Sequence, residues 1–241
     1  MTNPEAIDAS VLAQLQELGT ANISGRLGAL GLRSCHMQGV SPINSNRAKF
    51  CGEAVTVRYI PAREDLDARP QTPEEIRTNP QWRMADTIEA GKVLVIDSRG
   101  DARGGVVGGV IASRLAFRGA AAIVTDGGLR DSEELAQLPI AAHAGAAVAP
   151  PRAWFSHVAD CQVPIGCGGV AVYPGDILVG DADGVIVIPR HLARDIAKAG
   201  TQHAAMEEYV AGLIRGGEPL IGNYPPGPAA AAAVAAMTDK N

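Results

Sequence analysis

The stretch from Val93 to Leu135, VLVIDSRGDARGGVVGGVIASRLAFRGAAAIVTDGGLRDSEEL, most constrains how this chain can fold. An apolar run breaks into a glycine-rich turn, a helical pattern follows over IASRLAFRG, and a second apolar run, AAIVT, ends at Arg130 and Asp131. This is a strand, turn, helix, strand unit with charges at its mouth. The turn sets backbone N–H groups at a helix N-terminus, where unpaired donors and the helix dipole stabilise an anion.

Composition narrows the class. Aromatic residues make up only 4% of the 241 residues while Ala, Val, Ile, Leu and Gly abound, so the core is expected to be aliphatic and the protein a tightly layered α/β domain. One such domain over residues 1–215 with a Pro/Gly/Ala-rich tail over 216–241 is the expected organisation. A formal charge of −5 with no Lys/Arg cluster gives no footprint for direct nucleic-acid binding. Cys35, Cys51, Cys161 and Cys167 lack the paired spacing of a zinc site and read as reduced thiols. With no basic and apolar leader in MTNPEAIDAS and no run of spanning length, no membrane partner is expected and a cytoplasmic location is.

Along the chain, helical spacing predicts a helix from Pro4 to Leu18 ended by Gly19, and a second from Thr20 to Leu30. CGEAVTVRYI reads as a strand of the main sheet. The polar segment Pro61–Arg83, with Pro61, Pro70, Pro73 and Pro80, reads as an exposed excursion able to lie over a site, and Met84–Ala90 as a short helix. LPIAAHAGAAV is another strand, broken at Pro150-Pro151. Short β runs follow, separated at Gly-Gly, Pro-Gly-Asp and Asp-Ala-Asp-Gly, the last a hairpin signal. An amphipathic helix covers His191 to Ile214, and the tail suggests a frayed or partner-docked terminal helix.

Two constellations can carry chemistry. GDARGGVVGG lacks the spacing of a dinucleotide fingerprint; a small carboxylate or phosphate on the amides of Gly108, Gly109, Val110 and Ile111 competes with glycines serving only tight packing. In DGGLRDSEEL, Arg130 can clamp an anion while Asp131, with Glu134 one turn on, offers hard oxygens to a divalent cation. A surface ion pair capping the helix SEELAQL is the competing explanation. His36, His143, His157, His191 and His203 show no metal-ligand spacing and read as surface or packing residues. No G-x-S-x-G elbow is present, and no lysine sits as a Schiff-base lysine would.

The central stretch, together with VPIGCGGVAVYPGDILVGDADGVIVIPRHLA, resembles the family that unites the regulator of ribonuclease E activity A with the 4-hydroxy-4-methyl-2-oxoglutarate aldolases. The resemblance covers roughly residues 10 to 215. It implies a compact swivelling α/β/β domain with layered sheets and flanking helices, assembled as a homotrimer or hexamer with sites between subunits. It implies that Arg130 and Asp131 are the substrate arginine and metal aspartate, that Val110 and Ile111 supply pyruvate-holding amides, and that Glu134 is the motif's downstream acid. Gly109 stands where aldolase members usually carry an acid, and Glu207 or Glu208 would serve a neighbouring subunit. Asp131, absent from the ribonuclease-regulator branch, points to a class II lyase. Such a lyase would use Mg²⁺ or Mn²⁺ to cleave a 4-hydroxy-2-oxo acid or decarboxylate oxaloacetate to pyruvate. The alternative is a non-catalytic regulator that binds a ribonuclease.

Overall fold

The structure, a computed structural model, describes residues 7–67 and 72–238. The chain begins with helix α1 (Ala9–Ala29) and strands β1 (Ser41–Pro42) and β2 (Phe50–Pro61). Three short helices follow, α2 (Glu64–Asp67), α3 (Pro73–Thr78) and α4 (Pro80–Thr87). The central stretch forms β3 (Val93–Asp97), β4 (Gly105–Val107), α5 (Gly109–Phe117), β5 (Ala122–Thr125), β6 (Gly128–Leu129) and α6 (Ser132–Gln137). Then come β7 (Ala141–Ala144), β8 (Ala146–Ala147), β9 (Ser156–Cys161), β10 (Ile165–Cys167), β11 (Val170–Val172), β12 (Ile177–Asp181) and β13 (Gly184–Ile188). Helices α7 (Ala193–Arg215) and α8 (Pro228–Thr238) close the described chain.

Eight strands make one mixed sheet in the order β1-β7-β5-β3-β2-β12-β13, with β9 paired to the far half of β2. β2, β3, β5 and β7 are parallel. The two edge strands, β1 and β13, meet, so the sheet is nearly closed on itself. The β12–β13 hairpin turns at the anticipated Asp-Ala-Asp-Gly. β10 and β11 pair across Gly168-Gly169, whose φ angles of 57° and 75° suit the primed turns that match strand twist.

Alternation along the strands sets the layers. Val93 and Val95 face the barrel interior with Phe50, Leu178, Val185 and Val187, whereas Leu94 and Ile96 face outward onto Ala112, Leu115 and Leu135. On β12 and β13 the outward set, Ile177, Val179, Ile186 and Ile188, is covered by Leu15, Ile23 and Leu27 of α1 and Ile196 of α7. Both faces of the central strands are therefore buried, as their near-continuous apolar runs require. The α/β layering with flanking helices is as the sequence implies.

Gly19, at φ 73° and ψ 170°, breaks α1 into two helical segments where the sequence places the stop, and the Asp181 carboxylate caps the second segment by accepting from the Thr20 amide (2.7 Å) and hydroxyl (2.8 Å). The expected start at Pro4 lies outside the described residues, as do Pro70 and the last three residues of the tail. α4 begins at Pro80, before Met84, because proline suits a first helical position and the Asn79 side chain accepts from the Trp82 amide. α8 lies against α7 of its own chain. No helix among the described residues is long and apolar enough to cross a membrane.

Beyond the carboxyl ends of β3, β5 and β7 the chain continues into β4, β6 and β8, a small parallel sheet of its own. The candidate site lies where this second sheet meets α5, at the carboxyl end of the parallel strands, the usual place for a ligand crevice in such sheets.

Candidate active site

Asp131 follows β6 in the left-handed region, at φ 57° and ψ 44°, a conformation that is costly for a residue with a Cβ. It stands at the N-cap of α6 but makes no side-chain cap there. Its Oδ2 instead accepts the Gly109 amide at 3.0 Å and so caps the neighbouring helix α5. The first bond within α5 runs from the Ala112 amide to the Gly108 carbonyl. The amides of Val110 and Ile111 are thus first-turn donors without an intrahelical acceptor. The cradle expected over Gly108, Gly109, Val110 and Ile111 therefore divides: Gly109 serves Asp131, and Val110 and Ile111 are open.

Glycines make room for the charged side chains. A Cβ on Gly105 would fall 2.0 Å from Arg130 Cγ, one on Gly108 2.6 Å from Asp131 Oδ2, and one on Gly109 2.1 Å from Glu134 Oε2. The glycine run is thus the space into which Arg130, Asp131 and Glu134 fold. Arg130 Nη2 lies 4.0 Å from Asp131 Oδ1, and Arg130 Nε is buried with no acceptor. The preceding turn is held by Asp126, whose carboxylate accepts from the Ser98, Gly100 and Gly168 amides. Burial pushes the Asp126 carboxyl above the usual range despite those bonds.

Arg130, Asp131 and the start of α5 from Gly108 to Ile111 border a cleft of about 1170 Å³. Its far wall comes from the excursion and from the chain around β9: Asp67, Asn79, Gln81, Trp82, Arg152 and His157 all line it. The polar segment expected to lie over a site does form one wall. Gln81 is fully buried, donating to the Val106 carbonyl and accepting from Arg152 Nε. Arg152 also donates to the Ser156 carbonyl and lies 5.2 Å over the Tyr59 ring. No carboxylate pairs with it among the described residues. His157 Nδ1 lies 2.8 Å from Asp67 Oδ2.

Sequence reading missed Gln81, Arg152 and the His157–Asp67 pair. The only signal was local: Arg152 directly follows the Pro150-Pro151 break, and SHVADC carries β9 in residues too polar to register as a strand. Glu207 and Glu208, expected to serve a neighbouring subunit, pair with His203 and Arg215 on α7 of their own chain.

The donor set can be tested against a cation. Asp131 and Glu134 bring two carboxylates to the same helix end through Gly109, and no three of His, Cys, Asp and Glu gather among the described residues. That is unlike a tetrahedral zinc site. It fits a hard cation that keeps most of its sphere for water and substrate oxygens.

A family description, RraA-like: Aldolase/RraA, matches residues 20–187. A Halalkalibacterium halodurans protein, provisionally named a 4-hydroxy-4-methyl-2-oxoglutarate aldolase, is 33% identical over 49% of this chain, and the match spans 56% of that protein. A Xanthomonas campestris protein with the same provisional name is 32% identical over 65% of this chain and 84% of its own length. The Thermus thermophilus 4-hydroxy-4-methyl-2-oxoglutarate aldolase is 40% identical over 42% of this chain and 60% of its own. Among solved structures, Streptomyces coelicolor RraAS2, described as an unusual member of the RNase ES inhibitor RraA family, superposes with a TM-score of 0.75 at 26% identity. That match covers 85% of this chain and 98% of RraAS2.

Proposed function

The chain belongs to the RraA-like family, Aldolase/RraA, and on that premise we propose that it is a divalent-metal-dependent lyase of 2-oxo acids. The reaction is retro-aldol cleavage of a 4-hydroxy-2-oxo acid, or decarboxylation of oxaloacetate, with pyruvate as product. The observation that carries this reading is a surplus of donors in one cleft: Arg130, with an unpaired buried Nε, beside the open amides of Val110 and Ile111. Such a set calls for a carboxylate.

Arg130 would hold the substrate carboxylate in a fixed plane, and the Val110 and Ile111 amides would orient it from the helix end. As the bond to C4 breaks, negative charge grows on the 2-oxo oxygen, and the preorganised guanidinium stabilises it. Asp131, with Glu134, would hold Mg²⁺ or Mn²⁺, and the cation when bound supplies further stabilisation of that charge. Arg152, on the opposite wall without a carboxylate partner, suits the second carboxylate of a dicarboxylic substrate.

We place the protein in the cytoplasm as a homotrimer or hexamer, acting on small 2-oxo acids and binding neither membrane nor nucleic acid directly. The regulator alternative draws on the likeness to RraAS2. A pyruvate-release assay with oxaloacetate and 4-hydroxy-4-methyl-2-oxoglutarate, with and without EDTA, separates the two. Turnover should be lost in EDTA and fall by about 10²-fold or more in Asp131→Ala, the scale of losing a charge-stabilising group. Full activity in either case would overturn the lyase reading, and capture of a ribonuclease by an inactive protein would support the regulator.

A further inference from the structure

Retro-aldol cleavage requires a base for the C4 hydroxyl, and the residues around Arg130 provide a poor one. Arginine stays protonated, and Asp131 Oδ2 is engaged by the Gly109 amide. Across the cleft the chain holds a better candidate. β9 pairs antiparallel with the end of β2, with His157 opposite Ile60, and α2 then folds back so that Asp67 lies over β9. Asp67 Oδ2 accepts the Arg63 amide at 2.6 Å and faces His157 Nδ1 at 2.8 Å. Both residues line the same cleft as Arg130 and Asp131.

The pairing fixes the imidazole tautomer. A carboxylate only accepts, so Nδ1 carries the proton and Nε2 keeps its lone pair. This is the arrangement by which an acid orients a histidine base. The His157 side chain is 31% exposed and that of Asp67 25%, values that suit groups in a cleft wall better than a freely solvated surface pair.

We infer that His157 is the general base of the retro-aldol reaction and that Asp67 is its positioning residue. The inference rests on the lyase reading above. His157 Nε2 takes the C4 hydroxyl proton, the C4–O bond becomes a carbonyl, and the C3–C4 bond breaks. Its electron pair passes into the pyruvate enolate. The proton then returns from Nε2 to C3, giving pyruvate and a free carbonyl fragment, with His157 neutral again. Oxaloacetate decarboxylation removes no hydroxyl proton, and its enolate takes the C3 proton from solvent, so it serves as an internal reference for the base step.

The test compares the two reactions in the wild-type chain and in His157→Gln and Asp67→Asn. General-base removal costs about 10²- to 10⁴-fold. In His157→Gln the ratio of retro-aldol to decarboxylation kcat should therefore fall about 100-fold or more. Asp67→Asn should lower the same ratio by about tenfold, with the KM for the aldol substrate changed less than about threefold. A ratio unchanged in both variants would mean that the pair merely fastens α2 to β9, and would overturn the assignment. A wild type that decarboxylates but cleaves no aldol overturns it as well. A wild type releasing no pyruvate from either substrate overturns the lyase reading, and this assignment with it.

Discussion

Residue by residue, the site depends on what the glycines leave empty. The charges of Arg130 and Asp131 at a strand end could be read from the sequence, but not where they point: Asp131 looks like the cap of its own helix and instead caps α5, a contact between residues 22 apart. The same holds for Gly105, which appears in the sequence as one more flexible turn residue. Its φ is not positive, so alanine would fit its backbone; the obstacle is Arg130 Cγ, 2.0 Å from the new methyl. Gly105→Ala should therefore push Arg130 off its rotamer at a cost of about 0.5–1.5 kcal/mol. We expect KM for the 2-oxo acid to rise about tenfold with little change in thermal midpoint. Steady-state kinetics alongside a melting curve would check this, and an unaltered KM would show that Arg130 does not hold the substrate.

At the level of elements, the apolar strands were legible because both of their faces are buried, and β9 was not, because it lies at the border of the sheet and alternates too weakly. β4, β6 and β8 were hidden for a different reason. They are two or three residues long, and the glycines that let Arg130 and Asp131 approach also erase the strand pattern. The cleft wall depends on one link between elements. Gln81 of α4 donates to the Val106 carbonyl of β4 and accepts from Arg152, in full burial. Gln81→Leu keeps the volume but leaves both partners unsatisfied, which costs about 1–3 kcal/mol per buried group. The expected result is a lower urea midpoint at unchanged m-value, with a larger loss of kcat/KM for a dicarboxylic than for a monocarboxylic 2-oxo acid, since Arg152 loses its brace. Equal losses for the two substrates would argue against Arg152 as the distal clamp.

Across the whole molecule, stability against acid turns on groups the site does not use. His143 of β7 is fully buried against the Phe50 ring edge, with Nε2 3.1 Å from the Asp181 carbonyl and Nδ1 without a partner. Nε2 must donate to that carbonyl, and in the neutral ring this leaves a bare acceptor at Nδ1. Burial lowers its pKa, only partly offset by the Asp181 carbonyl and charge. The unfolded chain then binds the His143 proton first: stability is fully present above the unfolded value of about 6.5 and is lost as pH falls below it. Two carboxyls run the other way, because burial raises Asp126 and Asp176 and folding therefore favours their protonated forms. Glu53, held low by Lys92 and Arg190 against its own burial, adds stability above its unfolded value and gives it up in stronger acid. Comparison with a variant that lacks the imidazole but keeps these carboxyls isolates the His143 contribution. Thermal midpoints measured across pH 5 to 8 should fall below pH 6.5 in the wild type and fall less steeply in His143→Gln, whatever that variant's midpoint at pH 8. Parallel curves for the two proteins would show that His143 is protonated in the folded barrel and that another group sets the acid limit.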